Sequence, residues 1–179
     1  MIEGTLVNLR PRELADVERN ARWWADPDIK WLTGDRYDWS RAAAEASMRE
    51  IAGKPVALDH VWLAIETKDG VHIGNCRLFA VSAEDRSAKL GISIGEEVYR
   101  SHGYGSDAVR TLVRFAFAEM NLNRVELDVF DYNDRAIACY RKCGFVEEGR
   151  RRQARYARGV YHDTVVMAVL RDGWRAADD

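Results

Sequence analysis

Cysteine and proline are scarce in this sequence. Its 179 residues include three prolines and three cysteines, namely Cys76, Cys139 and Cys143. An odd number of cysteines at these spacings fits no disulfide framework, so we expect reduced thiols and a cytoplasmic protein. Cys139 and Cys143 lie one helical turn apart, but no histidine pair at ligand spacing accompanies them, and we predict no metal site.

Long apolar runs and an excess of charge of one sign are also missing. No run approaches the roughly 18 apolar residues that a membrane-spanning helix needs, and residues 1–5 do not resemble a signal peptide. Lysine and arginine total 27 against 29 aspartate and glutamate residues, a net charge of −2. We therefore expect a soluble protein without a membrane partner, and the charge balance argues against a nucleic-acid partner.

Apolar residues are plentiful, at 47% of the sequence with 10% aromatic residues. This composition excludes a disordered chain. Single cores grow to roughly 250 residues, and no repeat or linker divides the sequence. We therefore expect one domain over residues 1–179.

The hydrophobic periodicity predicts the element order β-α-α-β-β-β-α-β-α-β-β. The predicted strands are 5–10, 60–67, 72–81, 88–94, 124–130, 145–151 and 160–170, and the predicted helices are 11–24, 41–53, 105–120 and 133–143. The strand-helix-strand passage through residues 88–130 indicates a crossover and at least one parallel strand pair. The fold class is α/β (α+β), a mixed sheet with helices on both faces.

A glycine-rich turn, residues 100–106, follows a predicted strand and opens the longest predicted helix. Such a turn points backbone N–H groups outward at the positive end of the helix dipole, and Gly103 and Gly105 permit close approach of a ligand. The turn could hold a pyrophosphate, with a charge-assisted contact from Arg100. The alternative is a plain turn; neither the P-loop nor the dinucleotide-binding pattern fits, because Ser106-Asp107 and Ala108 stand where those patterns need other residues.

A second motif lies in the predicted helix at 133–143. Asn133 can cap this helix, and Ala136, Ile137 and Tyr140 share one face by their spacing. Tyr140 could present its hydroxyl to a cleft. The alternative is a core tyrosine whose hydroxyl is bonded internally.

The two motifs together resemble the GNAT superfamily of acetyl-CoA-dependent N-acyltransferases. The pattern is Arg-x-x-Gly-x-Gly after a strand, followed by Asn-x-x-Ala-x-x-x-Tyr-x-x-x-Gly-Phe. Leu9-Arg10-Pro11, Asp26-Pro27, Ile73-Gly74-Asn75 and Tyr161-His162-Asp163 resemble the RimJ/RimL-like branch. The resemblance implies a mixed, mostly antiparallel twisted sheet of about seven strands. It also implies direct acetyl transfer from acetyl-CoA to a primary amine, either a protein N-terminus or a small amine such as a polyamine.

The resemblance also implies a set of cofactor-binding residues. The backbone of the turn would hold the CoA pyrophosphate, and the strand at 91–94 would pair with the pantetheine arm, with the N–H near Ile94 polarising the thioester carbonyl. Asn133 would bond the cofactor or the backbone, and Lys142 would meet the 3′-phosphate unless it only covers a solvated helix face. The implied cofactor-binding set is Ile92, Ile94, Arg100, Ser101, His102, Gly103, Tyr104, Gly105, Ser106, Asn133 and Lys142. Ser101-His102 departs from the more usual Gly-Lys or Gly-Gln, which puts cofactor affinity in question.

By the same resemblance, Tyr140 would be the general acid that protonates the leaving thiolate. Asp128 is the first candidate for the general base. Its alternative role is to face solvent or to pair with an arginine. Glu96 and Glu97 are second candidates.

Two further features allow a functional and a structural interpretation. The cluster of Trp23, Trp24, Trp31, Trp39 and Tyr37 would either line an acceptor pocket or form a small satellite core. The basic run Arg150-Arg151-Arg152 would bind ribosomal RNA or an acidic protein, or only cover a solvated strand. An alternative function is therefore a non-catalytic acyl-CoA sensor or ribosome-associated module on the same fold. Dimers are common in the family by analogy.

Overall fold

An eight-stranded sheet organises the protein, in the strand order β1-β2-β3-β4-β5-β6-β8-β7. The computed structural model describes residues 1–36, 38–52 and 61–174. The strands are β1 (Ile2–Glu3), β2 (Val7–Pro11), β3 (Val61–Thr67), β4 (His72–Ser82), β5 (Ser87–Ile94), β6 (Arg124–Phe130), β7 (Val146–Ala157) and β8 (Val160–Leu170). Every neighbouring pair is antiparallel except β5 and β6, which are parallel. This confirms the predicted crossover and the mixed, mostly antiparallel sheet.

Helices cover both faces of the sheet. They are α1 (Val17–Ala25), α2 (Pro27–Thr33), α3 (Arg41–Ala52), α4 (Tyr104–Ala118) and α5 (Asp134–Lys142), with short 3-10 turns at Leu14–Asp16 and Glu97–Tyr99. In β4, Cys76 belongs to the buried core that includes α4. The neighbouring Asn75 points the other way and donates to Asn20 of α1 at 2.6 Å. Among the described residues, no helix is long and apolar enough to cross a membrane.

The core confirms the helical periodicity predicted for the longest helix. Six of its seven predicted apolar positions are buried, namely Ala108, Val109, Leu112, Val113, Ala116 and Phe117, and the seventh, Met120, is partly buried just beyond the helix end. They pack with the inward side chains of β2 to β6 and β8 in one hydrophobic cluster. Burial of this stripe fixes the long helix against the sheet.

Pro11 does not begin a helix, as the sequence suggested, but ends β2 opposite Leu63. On its other side, β1 pairs only with Asn8 and Leu9, so the missing N–H of Pro11 costs no ladder bond there. The first α-helix therefore begins later, at Val17.

Asp26 ends α1 as expected and also begins a helix that the sequence did not predict. Its carboxylate accepts the backbone N–H groups of Asp28 at 2.8 Å and Ile29 at 3.3 Å, and Pro27 occupies the first helical position. Both features favour a helix start, so a residue expected only to stop one helix also caps α2.

The other differences are small. The eighth strand is the two-residue β1, and β7 extends past its predicted end at residue 151 to Ala157, with register shifts at Glu147/Gly149 and Arg151/Arg155. Tyr37, the predicted helix end at residue 53 and the predicted strand start at residue 60 lie outside the described residues.

Candidate active site

The parallel strands β5 and β6 separate partway along their length. Their pairing is confined to Ser87–Lys89 and Arg124–Glu126; beyond these residues the two strands form no ladder with each other. A cleft of about 730 Å³ opens at this point, lined from β5 by residues 89–94 and from β6 by residues 128–130. The backbone edges that face this gap are available to an extended ligand arm.

The amino end of α4 closes one end of the cleft. The chain enters the helix through left-handed conformations at Ser101 (φ 65°) and Gly103 (φ 88°), and no side chain caps the helix. At the start of the helix, the Asp107 N–H donates a hydrogen bond to the Gly103 carbonyl at 2.9 Å. The preceding N–H groups therefore face the cleft mouth without an intrahelical acceptor, an arrangement that favours a bound anion.

Asp107 anchors this helix end from behind. Its buried carboxylate accepts the backbone N–H groups of Thr5, Leu6 and Val7 at 3.2, 2.7 and 3.0 Å. No local sequence pattern marks this residue, because its partners lie 100 or more positions earlier in the chain.

Most of the predicted cofactor-binding residues meet at the cleft. The cleft wall includes Ile92, Ile94, Arg100, Ser101, Gly103, Gly105, Ser106 and Asn133. Outside the wall, His102 contacts the Arg100 carbonyl through Nδ1, Tyr104 packs edge-on against Tyr99, and Lys142 is exposed. These three positions do not reach the cleft in this structure.

Arg100 uses its guanidinium within the protein. Nε donates to the Ile94 carbonyl at 3.1 Å and Nη2 donates to the Gly95 carbonyl at 2.9 Å. The side chain thus ties the glycine-rich turn to the end of β5. Its positive charge would still attract a phosphate group bound nearby.

Tyr140 lies on α5 and forms part of the cleft wall. Only 8% of the residue is exposed, and its hydroxyl has no hydrogen-bond partner among the described residues. Burial, with a smaller contribution from the thiols of Cys139 and Cys143, raises the pKa of Tyr140 above its usual value. The phenol is therefore protonated throughout the physiological pH range.

The start of α5 is fixed by Asn133, whose side-chain oxygen accepts the Ala136 N–H at 3.2 Å. This confirms the predicted cap. One turn before the end of the helix, the Cys139 sulfur lies 3.2 Å from the Ser106 hydroxyl of α4. The two helices that hold Tyr140 and the glycine-rich turn are thus in direct contact.

Asp128 reaches the cleft from the other face of the sheet. Val125, Leu127 and Val129 of β6 point into the core with α4 and α5, so the alternating Asp128 points away from them. Its carboxylate is 37% exposed and pairs with Arg151 at 2.7 Å and with Lys89 at 3.7 Å. The second candidates lie outside the cleft wall, with Glu96 paired to Arg22 and Arg19 and Glu97 exposed.

The tryptophan cluster divides between the two expected roles. Trp23 is buried against Gly95, where an added Cβ would lie 2.1 Å from the indole ring. Trp24 and Trp39, with ring centroids 5.0 Å apart, line the cleft. The cluster therefore supplies both a local core and a pocket wall.

The basic run on β7 is largely engaged within the chain. Arg150 donates to Glu147 at 2.7 Å, and Arg151 pairs with Asp128.

The cleft also contains four residues that the sequence did not single out, namely Arg12, Arg77, Trp62 and Phe79. Arg77 and Phe79 lie on β4, Trp62 lies on β3 and Arg12 follows β2, and these positions share no local motif.

Comparison with known proteins relates this geometry to one family. Residues 7–146 match the family model described as an acetyltransferase (GNAT) domain. An uncharacterised N-acetyltransferase of Bacillus licheniformis, p20, is 26% identical over 167 residues, covering 92% of this chain and 93% of that protein. The spermidine N(1)-acetyltransferase of Vibrio cholerae is 31% identical over 98 residues, which is 55% of this chain and 56% of that protein.

Solved structures show the same fold. The spermidine N-acetyltransferase of Vibrio cholerae in complex with CoA and spermine superimposes with a TM-score of 0.84 at 23% identity, covering 93% of this chain and 96% of that one. The architecture is therefore shared closely although most side chains differ.

Proposed function

Because the chain belongs to the acetyltransferase (GNAT) family, and so is an N-acetyltransferase that uses acetyl-CoA as co-substrate, we propose that it transfers the acetyl group directly to a primary amine. The observation that carries the proposal is the gap between β5 and β6, which ends at the uncapped start of α4 and has Tyr140 in its wall. The finer proposal is a RimJ/RimL-like enzyme with a protein N-terminus or a small amine as its acceptor.

The cleft suits acetyl-CoA in shape and in polarity. The N–H groups at residues 103–106 would hold the pyrophosphate, and the backbone edge at Ile92 and Ile94 would pair with the pantetheine arm. Outside its own helix, an added Cβ at Gly105 would contact only Ile94 Cγ1 among the described residues, at 3.7 Å, so the space beside this glycine is left for a ligand. Acetyl-CoA supplies an activated thioester to this cleft.

Tyr140 would act as the general acid. Its buried phenol stays protonated and has no competing partner among the described residues. A thiol with a pKa near 8.5 is already a fair leaving group, so proton donation need contribute only part of the rate. The Ile94 N–H would polarise the carbonyl group under attack.

Asp128 would serve the acceptor side. An alkyl amine has a pKa near 10 and arrives as an ammonium ion, so it must lose a proton before it attacks. Asp128 approaches the gap from the face opposite Tyr140, where it would attract the ammonium group and accept that proton, directly or through water. The same carboxylate also pairs with Arg151, at 2.7 Å.

The other proposed properties follow from the same assignment. The chain would act as one domain in the cytoplasm, where its three cysteines, all free in the structure, would remain reduced. A homodimer is proposed by analogy with the family. The second candidate function is a non-catalytic acyl-CoA sensor or ribosome-associated module. The observation that favours it is the exposed Arg152 in the basic run.

Substitution of Tyr140 by Phe tests the catalytic assignment. Loss of the acid should lower kcat by about 10-fold or more, with the acetyl-CoA KM changed by less than about threefold, because the ring and its packing remain. The measurement is the release of free CoA thiol in the presence of a panel of amines. Tyr156→Phe, on the exposed β7–β8 hairpin, is the matched control. An unchanged kcat would remove Tyr140 from the acid role, and no turnover of any amine by the unaltered protein would favour the sensor.

A further inference from the structure

A row of side chains crosses the sheet toward the gap between β5 and β6. Trp62 of β3 pairs with Arg77 of β4, and Arg77 pairs with Gly91 of β5. The Arg77 guanidinium lies 4.7 Å from the Trp62 ring and 4.4 Å from the Phe79 ring. The guanidinium of Arg12, which immediately follows β2, lies 5.1 Å from the same Trp62 ring. The row thus brings two guanidinium groups to one aromatic wall of the cleft.

Neither arginine forms an ion pair with a carboxylate in the part of the chain that the structure describes. Arg12 and Arg77 make no hydrogen bond or ion pair with the described residues, and the buried Arg12 Nε has no acceptor at all among them. Arg10, two residues before Arg12, shows the contrast, because it is bonded to both Asp16 and Glu66. A buried cation that lacks a partner is costly, and such a group is usually matched by a ligand when it lines a binding cleft.

Both arginines are cations at neutral pH. Burial lowers the pKa of Arg12 to about 10 and also lowers the pKa of Arg77. Arg77 further lowers the Arg12 pKa by repulsion. A bound anion would relieve both the burial cost and this repulsion.

The absence of a side chain at Gly91 gives Arg77 its path to the gap. An added Cβ at Gly91 would lie 3.0 Å from Arg77 Nε and 3.3 Å from its Cγ, so the arginine lies directly over the glycine. Gly91 is the second residue of β5 beyond the last pair with β6. Asp128 stands on the β6 side, in the same cleft. The acceptor face therefore offers a carboxylate on one side of the gap and two guanidinium groups on the other.

Building on the proposed transfer to an amine, we propose that the acceptor is an amine that carries a carboxylate, as an amino acid or a short peptide does. Its ammonium group would lie toward Asp128 and its carboxylate toward Arg77 and Arg12, where guanidinium groups bind carboxylates through paired hydrogen bonds. A polyamine would place a second cation against two unpaired arginines. The structure thus disfavours the polycationic acceptor named for the Vibrio cholerae relative.

The test compares acceptors that differ only in the carboxylate. L-amino acids and dipeptides would each be assayed beside their C-terminal amides, with spermidine as the polycation, by CoA thiol release. We expect kcat/KM for the free acids to exceed that for the amides by about 10-fold or more. Arg77→Met should lower kcat/KM for the acids by a similar factor while leaving the amides within about twofold, and Arg77→Lys should recover part of the loss.

Controls separate this inference from the proposed function. Arg49→Met, at an exposed arginine on α3, should behave as the unaltered enzyme. A rise in melting temperature with acetyl-CoA will show that each Arg77 variant is folded and binds its co-substrate. Preference of the unaltered enzyme for amides or spermidine would overturn the carboxylate assignment and leave amine acetylation standing. Failure to acetylate any amine would overturn the proposed function and this inference with it.

Discussion

At the residue scale, the cleft keeps some ionisable side chains occupied and leaves others available. Arg100 is bonded to the end of β5, and Asp128 is paired with Arg151. Tyr140 and Arg77 form neither a hydrogen bond nor an ion pair with the described residues, although both line the cleft. Tyr140 and Arg77 are therefore available for the reaction and for the acceptor, and Arg100 holds the glycine-rich turn against β5. Asp128 has a proposed role on the acceptor side although it is already paired.

Asp128→Asn tests the acceptor side of the mechanism. The amide keeps the size of the side chain but cannot accept the proton, so kcat/KM should fall by about 10-fold or more. The control is Glu126→Gln, two residues earlier on the same face of β6 and paired to Arg124 and Lys89. A rate for Asp128→Asn within about twofold of the unaltered enzyme would exclude the base role.

Local spacing explains which site residues could be found from the sequence. Asn133 and Tyr140 fall within one short helix, where a cap and a step of three or four residues leave a readable pattern. Asp107 and Arg77 leave none. Asp107 accepts hydrogen bonds from the backbone of residues 5–7, and Arg77 lies opposite Trp62 on β3 and Gly91 on β5. Only the assembled sheet brings these groups together.

At the element scale, one carboxylate joins three separate parts of the chain. Asp16 accepts two hydrogen bonds from Arg10, just before the end of β2, at 2.8 and 2.9 Å, and one from the Glu13 N–H at 2.9 Å. The ring of His72, at the start of β4, lies 3.2 Å away. Burial alone would raise the pKa of Asp16, but the hydrogen bonds from Arg10 and Glu13, together with the nearby His72 ring, outweigh it and hold the pKa well below its usual value.

The stability of this junction should therefore depend on pH. The folded pKa of Asp16 lies below the unfolded value of about 3.9, so its contribution is complete above that pH and is lost as the pH falls below it. Asp16→Asn should lower the free energy of unfolding by about 3 kcal/mol at pH 7, since it leaves Arg10 partly unpaired. Urea unfolding should show this difference shrinking as the pH is lowered from about 5 to about 3.

Glu45→Gln, at an exposed ion pair on α3, provides the comparison for the pH experiment. It should leave the midpoint of urea unfolding nearly unchanged at every pH, because an exposed ion pair contributes little to stability. A stability difference for Asp16→Asn that stays constant down to pH 3 would contradict the ionic role of Asp16.

At the scale of the whole molecule, most of the element order along the chain and the parallel pair follow from the sequence, but the position of β8 between β6 and β7 and the shape of the gap do not. Alternating apolar residues locate β3 to β6, and apolar steps of three and four residues locate α4, within a few residues. Each pattern arises because one face of the element is buried. The residue at which β5 and β6 stop pairing depends on how α4 and α5 pack against the rest of the protein. No local pattern encodes it, and the same holds for Pro11 at the end of β2 and the additional helix α2.

Calorimetric titration of acetyl-CoA into Gly105→Val tests the central claim, that the gap beside the start of α4 is the co-substrate site. A valine at this position meets little protein, so the variant should fold: outside its own helix, an added Cβ contacts only Ile94 Cγ1 among the described residues, at 3.7 Å. Gly149→Val, where an added Cβ has no neighbour within 4 Å, is the matched control and should bind normally. The account predicts that Gly105→Val raises the acetyl-CoA Kd by about 100-fold or more, because its side chain occupies the ligand's place. An unchanged Kd for this variant would contradict the account.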